Sequence, residues 1–423
     1  MKKVLALIVA FVMMFAMAAC SGNGGANDAD KVLSFDEVEK TTPGEVTAVA
    51  KEDLKVGFIF LHDENSTYDK NFMDAAKAVQ AALGLSDDQV LFKTNIPESS
   101  ECYEAAAELA DAGCQLVFGD SFGFESYMIQ AAKEYPDVQF CHATGTRALT
   151  ELVPNYHNAF ASIYEGRYLA GIVAGMKLNE MIDNGELTAE EAKMGYVGAF
   201  PYSEVISGLS SFYLGAKSVC PSVTMEVKYT NSWFDIAAEK EAANALIQSG
   251  CKLISQHADS EGAPKACEEA GVPNVAYNID TSSMGPTTAL ISSKISWEPY
   301  FELIINSMIE GKAIPTDWCG TLATGSVQLT ALNEAVAAEG TQAAIDEAIK
   351  KIEAGELKVF DTKTFTVDGK ELTSFIADIV TDDAFTPDTE TVSDGEFKES
   401  NQRSAPYIYF QIDGITGVFP ESK

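Results

Sequence analysis

Three groups of residues in this 423-residue chain could do chemistry. The first is Gly119-Asp-Ser-Phe-Gly123, a Gly-x-Ser-x-Gly spacing between an apolar run and a helical stretch. That is the context of a nucleophile elbow, with Ser121 attacking a carbonyl and a later acid and histidine activating it. Asp235 and His257 follow in that order. A Gly-rich turn between strand and helix has a second use, which is to hold a polar ligand atom on backbone N–H groups without any reaction. The second group is the histidines, His62, His142, His157 and His257. No two stand four apart, and His257-Ala-Asp259 is too short a signal for a metal site, so structural or cleft-lining roles and no metal are expected. The third group is aromatic and acidic: Tyr68, Phe122, Phe124, Phe200, Trp233 and Trp297, with Asp259 and Asp280. Aromatics clustered at loops beside carboxylates describe a slot that stacks a flat ring and accepts from its N–H or hydroxyl groups. A carboxylate buried there without a donor is costly, so ligand or solvent must supply one.

The elements that position these residues alternate. Apolar runs of strand length occur at 55–61, 90–95, 115–118 and 138–141, with helical stretches at 71–83, 99–112 and 124–135 between them. A longer helix at 165–179 leads into a second series of runs at 194–198, 224–229, 252–256 and 274–277. Strands alternating with helices in this way form parallel sheets with right-handed crossovers. Two such series predict two similar lobes, with the ligand between them at the carboxyl ends of the strands. The expected division is signal peptide 1–19, tether 20–50, lobe I 51–150 with its long helix and crossover at 151–190, and lobe II 191–285. A return crossover follows at 286–380, then an acidic surface loop at 381–400 and a C-terminal strand at 401–423, read chiefly in 406–412.

Lys2 and Lys3, the apolar run 4–17 and Ala18-Ala19 before Cys20 have the layout of a secretory signal. The polar stretch that follows makes Cys20 a candidate for lipidation, with the rest of the chain held outside the membrane; an ordinary signal with an incidental cysteine is the alternative. The net charge of −34 disfavours nucleic acid as a partner. Seven further cysteines show no Cys-x-x-Cys pair, so mostly buried thiols are expected, with a Cys102–Cys114 bridge left open.

Several segments carry a family resemblance. Phe118-Gly-Asp-Ser-Phe-Gly-Phe124, 132–140, Tyr164-Glu-Gly-Arg-Tyr-Leu-Ala-Gly-Ile-Val-Ala-Gly175, Gly198-Ala-Phe-Pro-Tyr-Ser-Glu-Val205, Trp233-Phe-Asp235, Gln256-His-Ala-Asp-Ser260 and Trp297-Glu-Pro-Tyr300 together resemble the basic membrane protein (BMP) family of ABC-transporter substrate-binding lipoproteins. The resemblance implies an α/β fold of the type I periplasmic-binding-protein kind: two Rossmann-like lobes joined by crossover strands. It implies a purine nucleoside or nucleobase as ligand, an ABC permease as partner, an extracytoplasmic lipid-anchored location, and no cofactor or catalysis. It also implies a ring stacked by Tyr68 and Phe200, with Trp233 or Trp297 as further walls and contacts from Asp259 and Asp280. Lys294 matches a ribose-binding lysine, and Phe122, Phe124 and Asn71 complete the candidate set. Ser66-Thr67-Tyr68 departs from the Ser-Phe-Asn of the nucleoside-binding branch, which leaves base and nucleoside both open. Two other classes stay in view: a serine hydrolase at Ser121, and a sensor or adhesin on the same fold.

Overall fold

The computed structural model describes residues 32–380 and 386–419; Cys20 and the signal expected before it lie outside the described residues. Lobe I is built from β1 (Val56–Ile59), α1 (Thr67–Leu83), β2 (Val90–Lys93), α2 (Ser100–Asp111), β3 (Leu116–Gly119), α3 (Glu125–Glu134), β4 (Gln139–Ala143) and β5 (Tyr156–Ala161). After α4 (Ile163–Asp183), lobe II repeats the plan. It comprises β6 (Lys193–Gly198), α5 (Ser203–Val219), β7 (Thr224–Tyr229), α6 (Ile236–Gln248), β8 (Leu253–His257), α7 (Gly262–Ala270), β9 (Asn274–Tyr277) and β10 (Ala289–Ile295). The chain then runs through α8 (Glu298–Glu310), β11 (Asp317–Gly320), β12 (Val327–Leu329) and α9 (Thr341–Glu353). Short strands close it: β13 (Ile376–Ala377), β14 (Thr389–Glu390), β15 (Val392–Ser393), β16 (Glu396–Phe397) and β17 (Ile415–Thr416).

Among the described residues the two large sheets have the orders β11-β5-β4-β3-β1-β2 and β12-β10-β9-β8-β6-β7-β17. All neighbours are parallel except β12, which runs antiparallel to β10. The chain crosses between the lobes three times: after β5, after β10, and between β11 and β12. The central strands β1, β3, β4, β8 and β9 are buried throughout, because helices cover both faces of a parallel sheet. In lobe I, Phe58, Phe118 and Phe301 pack with ring centroids 4.9–6.0 Å apart, each fully buried ring contributing about 1.5–3 kcal/mol.

Four expectations change. The long helix α4, assigned to lobe I, packs on α5 and β10 of lobe II. Its glycines permit the approach: a Cβ on Gly171 would stand 2.1 Å from the Phe212 carbonyl oxygen. The supposed tether from 33 onward is pinned by backbone bonds from Thr41 to Leu149, Gly44 to Pro154 and Val49 to Met308. The acidic stretch, outside the undescribed 381–385, is not a solvated loop, for it forms β14–β16 and buries Phe397 and Glu399. Glu390 and Asp394 face outward, while Phe397 and Glu399 dock. The C-terminal strand is β17, pairing with β7, and 406–412, buried except at Tyr409 and the half-buried Gln411, has no ladder partner among the described residues. The seven described cysteines are free thiols, all buried except the partly buried Cys319.

Candidate functional site

The carboxyl ends of β1, β3 and β4 in lobe I face those of β6, β7 and β8 in lobe II, and the loops leaving them enclose a cleft. Its lining is Leu61, Tyr68, Asp69, Ser121, Phe122 and Thr144 from lobe I, and Glu204, Trp233, His257 and Asp259 from lobe II. The lobes meet there directly. The Thr67 backbone N–H donates to the Asp259 carbonyl at 2.8 Å, the His62 and Phe234 rings lie 5.3 Å apart, and Phe122 meets Tyr202 at 5.7 Å. The closed cleft keeps a space of ≈ 20 Å³, enough for about one water.

The geometry of α1 places its first turn in the cleft. Ser66 caps the helix by accepting from the Asp69 backbone N–H, and its hydroxyl donates to the Asp69 carboxylate at 2.6 Å. Asp69 also accepts from the His62 backbone N–H at 2.8 Å. Burial raises this carboxyl, but the bonds from His62 and Ser66 outweigh it and hold it below the usual range. Asp120 lies behind, where burial and then the charge of Asp69 push it well above that range. Tyr68 donates its hydroxyl to the Asp120 carbonyl at 2.8 Å, which fixes the ring at the cleft wall.

On lobe II, Asp259 follows β8 and is 5% exposed. No described residue donates to its carboxylate. Burial, followed by the charges of Glu239, Asp69 and Glu204, pushes it well above the ordinary carboxylate range. Burial likewise pushes Glu204 up to about 7, with Arg167 opposing. Glu204 lies 3.3 Å from His257 Nε2, and burial, then the Arg167 charge, holds that imidazole well below its usual range. Arg167, 1% exposed, lies with its guanidinium 3.6 Å over the Tyr277 ring and donates to the Gln256 carbonyl at 2.9 Å. It supplies the buried positive charge of this half.

The structure therefore brings together Tyr68, Phe122, Trp233 and Asp259 of the predicted set. Phe200 stands just outside, stacked on Tyr202 at 5.0 Å and edge-on to Trp233 at 5.1 Å, so it supports the wall. Phe124 is fully buried in the lobe I core near Met128, since two residues beyond Phe122 the short turn points inward. Trp297, 1% exposed, stacks on Phe72 at 4.3 Å in the core. Asn71 donates to the Ile295 carbonyl at 2.7 Å and ties α1 to β10. Asp280 is exposed and accepts from the Ser282 backbone N–H, and Lys294 is half-buried on β10 opposite Gln328; neither lines the cleft. Asp69, Glu204 and Thr144 were missed. The first two sit beside Tyr68 and within Gly198–Val205, and that proximity was the available signal.

The triad is not assembled. Ser121 is extended at φ −97°, ψ 141° and donates to Glu98 at 2.6 Å, while Asp235 caps α6 by accepting from Ala237 and Ala238. Among the described residues no group of three or more His, Cys, Asp or Glu is placed to hold a metal ion.

Two lobes of parallel sheet closing on an aromatic, acidic cleft define a hinged binding protein. The family described as ABC transporter substrate-binding protein, PnrA-like (Bmp), matches residues 59–362, and the chain belongs to it. The chain is 32% identical over 328 residues to a purine-binding protein of Brucella abortus, covering 77% of this chain and 88% of that one. It is 36% identical over 218 residues, 52% of each chain, to a Haloferax volcanii protein named provisionally as an ABC transporter glucose-binding protein. A nucleoside-binding protein of Lactococcus lactis is 25% identical over 222 residues, 50% of this chain and 57% of that one. The solute-binding protein of Aeropyrum pernix shares the fold at TM-score 0.62 and 19% identity, covering 76% of this chain and 95% of that one. Members are extracytoplasmic solute-binding components of ABC transporters, not enzymes. No helix of the described residues is long and apolar enough to cross a membrane.

The raised Glu204 carboxyl predicts a pH dependence. Below pH 4.5, its ordinary value, it is protonated in folded and unfolded chains alike, and its stabilising contribution is fully present. As pH rises towards about 7 the unfolded chain ionises first, and stability falls. Glu204→Gln removes this contribution, worth up to about 3 kcal/mol. Thermal unfolding of ligand-free protein from pH 4.5 to 7.5 should show a smaller loss in the variant than in the wild type; equal losses would refute the assignment.

Proposed function

We propose that this chain is the receptor of an ABC importer for a purine nucleoside or nucleobase, held at the cell membrane by lipid on Cys20. The observation that carries the ligand reading is Asp259: a buried carboxylate with no donor among the described residues, beside Tyr68 and Phe122 of one lobe and Trp233 of the other. A purine supplies what this cleft lacks. Its flat faces fill the space when the aromatics part, and its ring or exocyclic N–H groups donate to Asp259, and to Glu204 when that is ionised. The 32% identity to a purine-binding protein of Brucella abortus supports the same reading. Lobe closure then presents the loaded form to the permease.

Calorimetric titration of purines, nucleosides and glucose into refolded, ligand-free protein tests this. A purine or its nucleoside should bind, and Asp259→Asn should weaken it roughly 10- to 100-fold, the worth of a hydrogen bond to a charged group. Trp233→Ala should weaken it about tenfold. Binding of glucose with no response to any purine would replace the purine reading by a sugar one. For the anchor, Cys20→Ser should move the protein from the membrane fraction to the soluble fraction, and an unchanged distribution would remove the lipid from the account.

A further inference from the structure

The cleft opens on a second, larger space. It measures ≈ 490 Å³ and shares Phe122, Thr144, Glu204 and Trp233 with the cleft of ≈ 20 Å³. Pockets of about 300–1,000 Å³ are the size that holds drug-sized ligands, so this chamber has room for a ring even with the lobes closed. Its far wall is Phe375, Tyr407 and Tyr409, with Ala405 and Pro406 between. These residues lie beyond the family match, which ends at 362.

The wall is built rather than draped. Ser404 fastens it to lobe I, donating from its backbone N–H and hydroxyl to the Asp317 carboxylate at 2.6 and 2.5 Å and accepting from Asn158 at 3.0 Å. On the other side the Ser207 hydroxyl of α5 donates to Glu399, which ties the same segment to lobe II. Arg403 donates to the carbonyls of Ile379 and Ala405 at 2.9 and 3.2 Å, and Tyr407 donates to the Lys398 carbonyl. Behind them Phe397 packs on Phe375 and Phe410, with centroids 5.8 and 5.2 Å apart.

We infer that residues 375–378 and 403–409 add a second chamber to the binding site, which takes a ring-sized, uncharged group carried on the same ligand as the base. This rests on the purine reading above and narrows it. Phe122, Tyr202, Trp233, Phe375, Tyr407 and Tyr409 offer ring faces on several sides, and Thr144, Thr146 and Ser203 offer hydroxyls. Glu204, Asp378 and Arg403 share the lining; Arg403 donates to the carbonyls of Ile379 and Ala405, and the two acids under a chain charge of −34 oppose a phosphate or carboxylate there. Aromatic walls interspersed with hydroxyls suit a sugar face or a second aromatic ring.

The test is titration calorimetry with adenine, adenosine, and adenosine carrying a benzyl group at N6 or at O5′, on the wild type, Tyr409→Ala and Phe375→Ala. Tyr409 is 47% exposed, so its truncation leaves the core intact. At least one benzyl probe should bind the wild type no more weakly than adenosine. Each variant should weaken that probe at least tenfold while changing adenine less than twofold. Adenine that binds while both benzyl probes are excluded overturns the chamber and leaves the purine reading standing. Variants that weaken every probe equally, or none, also overturn it. Benzyl probes that bind where adenine does not support the chamber and count against a bare base, and failure of all four overturns both readings.

Discussion

Asp259 is taken out of water beside three other acids and given no donor by the described residues, and much of the binding apparatus follows from that arrangement. A carboxylate so placed is costly unless something donates to it. Elsewhere the protein compensates its buried groups: His62 and Ser66 donate to Asp69, and the charge of Arg167 acts on Glu204 and His257. At Asp259 and at the cleft face of Glu204 the supply stops. The missing donors face Tyr68, Phe122 and Trp233, where a flat, N–H-bearing molecule satisfies both the charge and the rings.

The topology makes this possible. Each parallel sheet ends its strands at one edge, and three crossings join the edges so that they face each other. Asp69 and Asp259 therefore belong to different lobes and meet across the cleft. The bond from the Thr67 N–H to the Asp259 carbonyl marks the closed state, and Asn71, held to Ile295, ties α1 to the return crossover. The close contact of α4 with α5, through glycines that admit backbone to backbone, packs the long helix tightly into lobe II.

The alternation of strands and helices was legible because parallel strands are continuous apolar runs. The edge strands β11, β12 and β17 were not, being short and partly polar with half their neighbours missing. In the site, residue type and strand-end position identified Tyr68, Phe122, Trp233 and Asp259. Side-chain direction was beyond reach: Phe122 and Phe124 stand two apart in one turn, yet one lines the cleft and the other fills the core. Asp69 and Glu204 lie in first helical turns, where an acid reads as a favourable dipole partner and gives no sign of a ligand. The buried role of Phe397 and Glu399 was hidden by the acids around them, since composition averages over a segment and docking depends on single side chains.

A crystal structure of the purified protein with a purine or its nucleoside tests the central claim most directly. The account predicts the base between Tyr68 and Trp233, with a ring or exocyclic N–H at hydrogen-bonding distance from the Asp259 carboxylate. A bound purine lying away from Asp259, or turning only acceptor atoms towards it, would contradict the account.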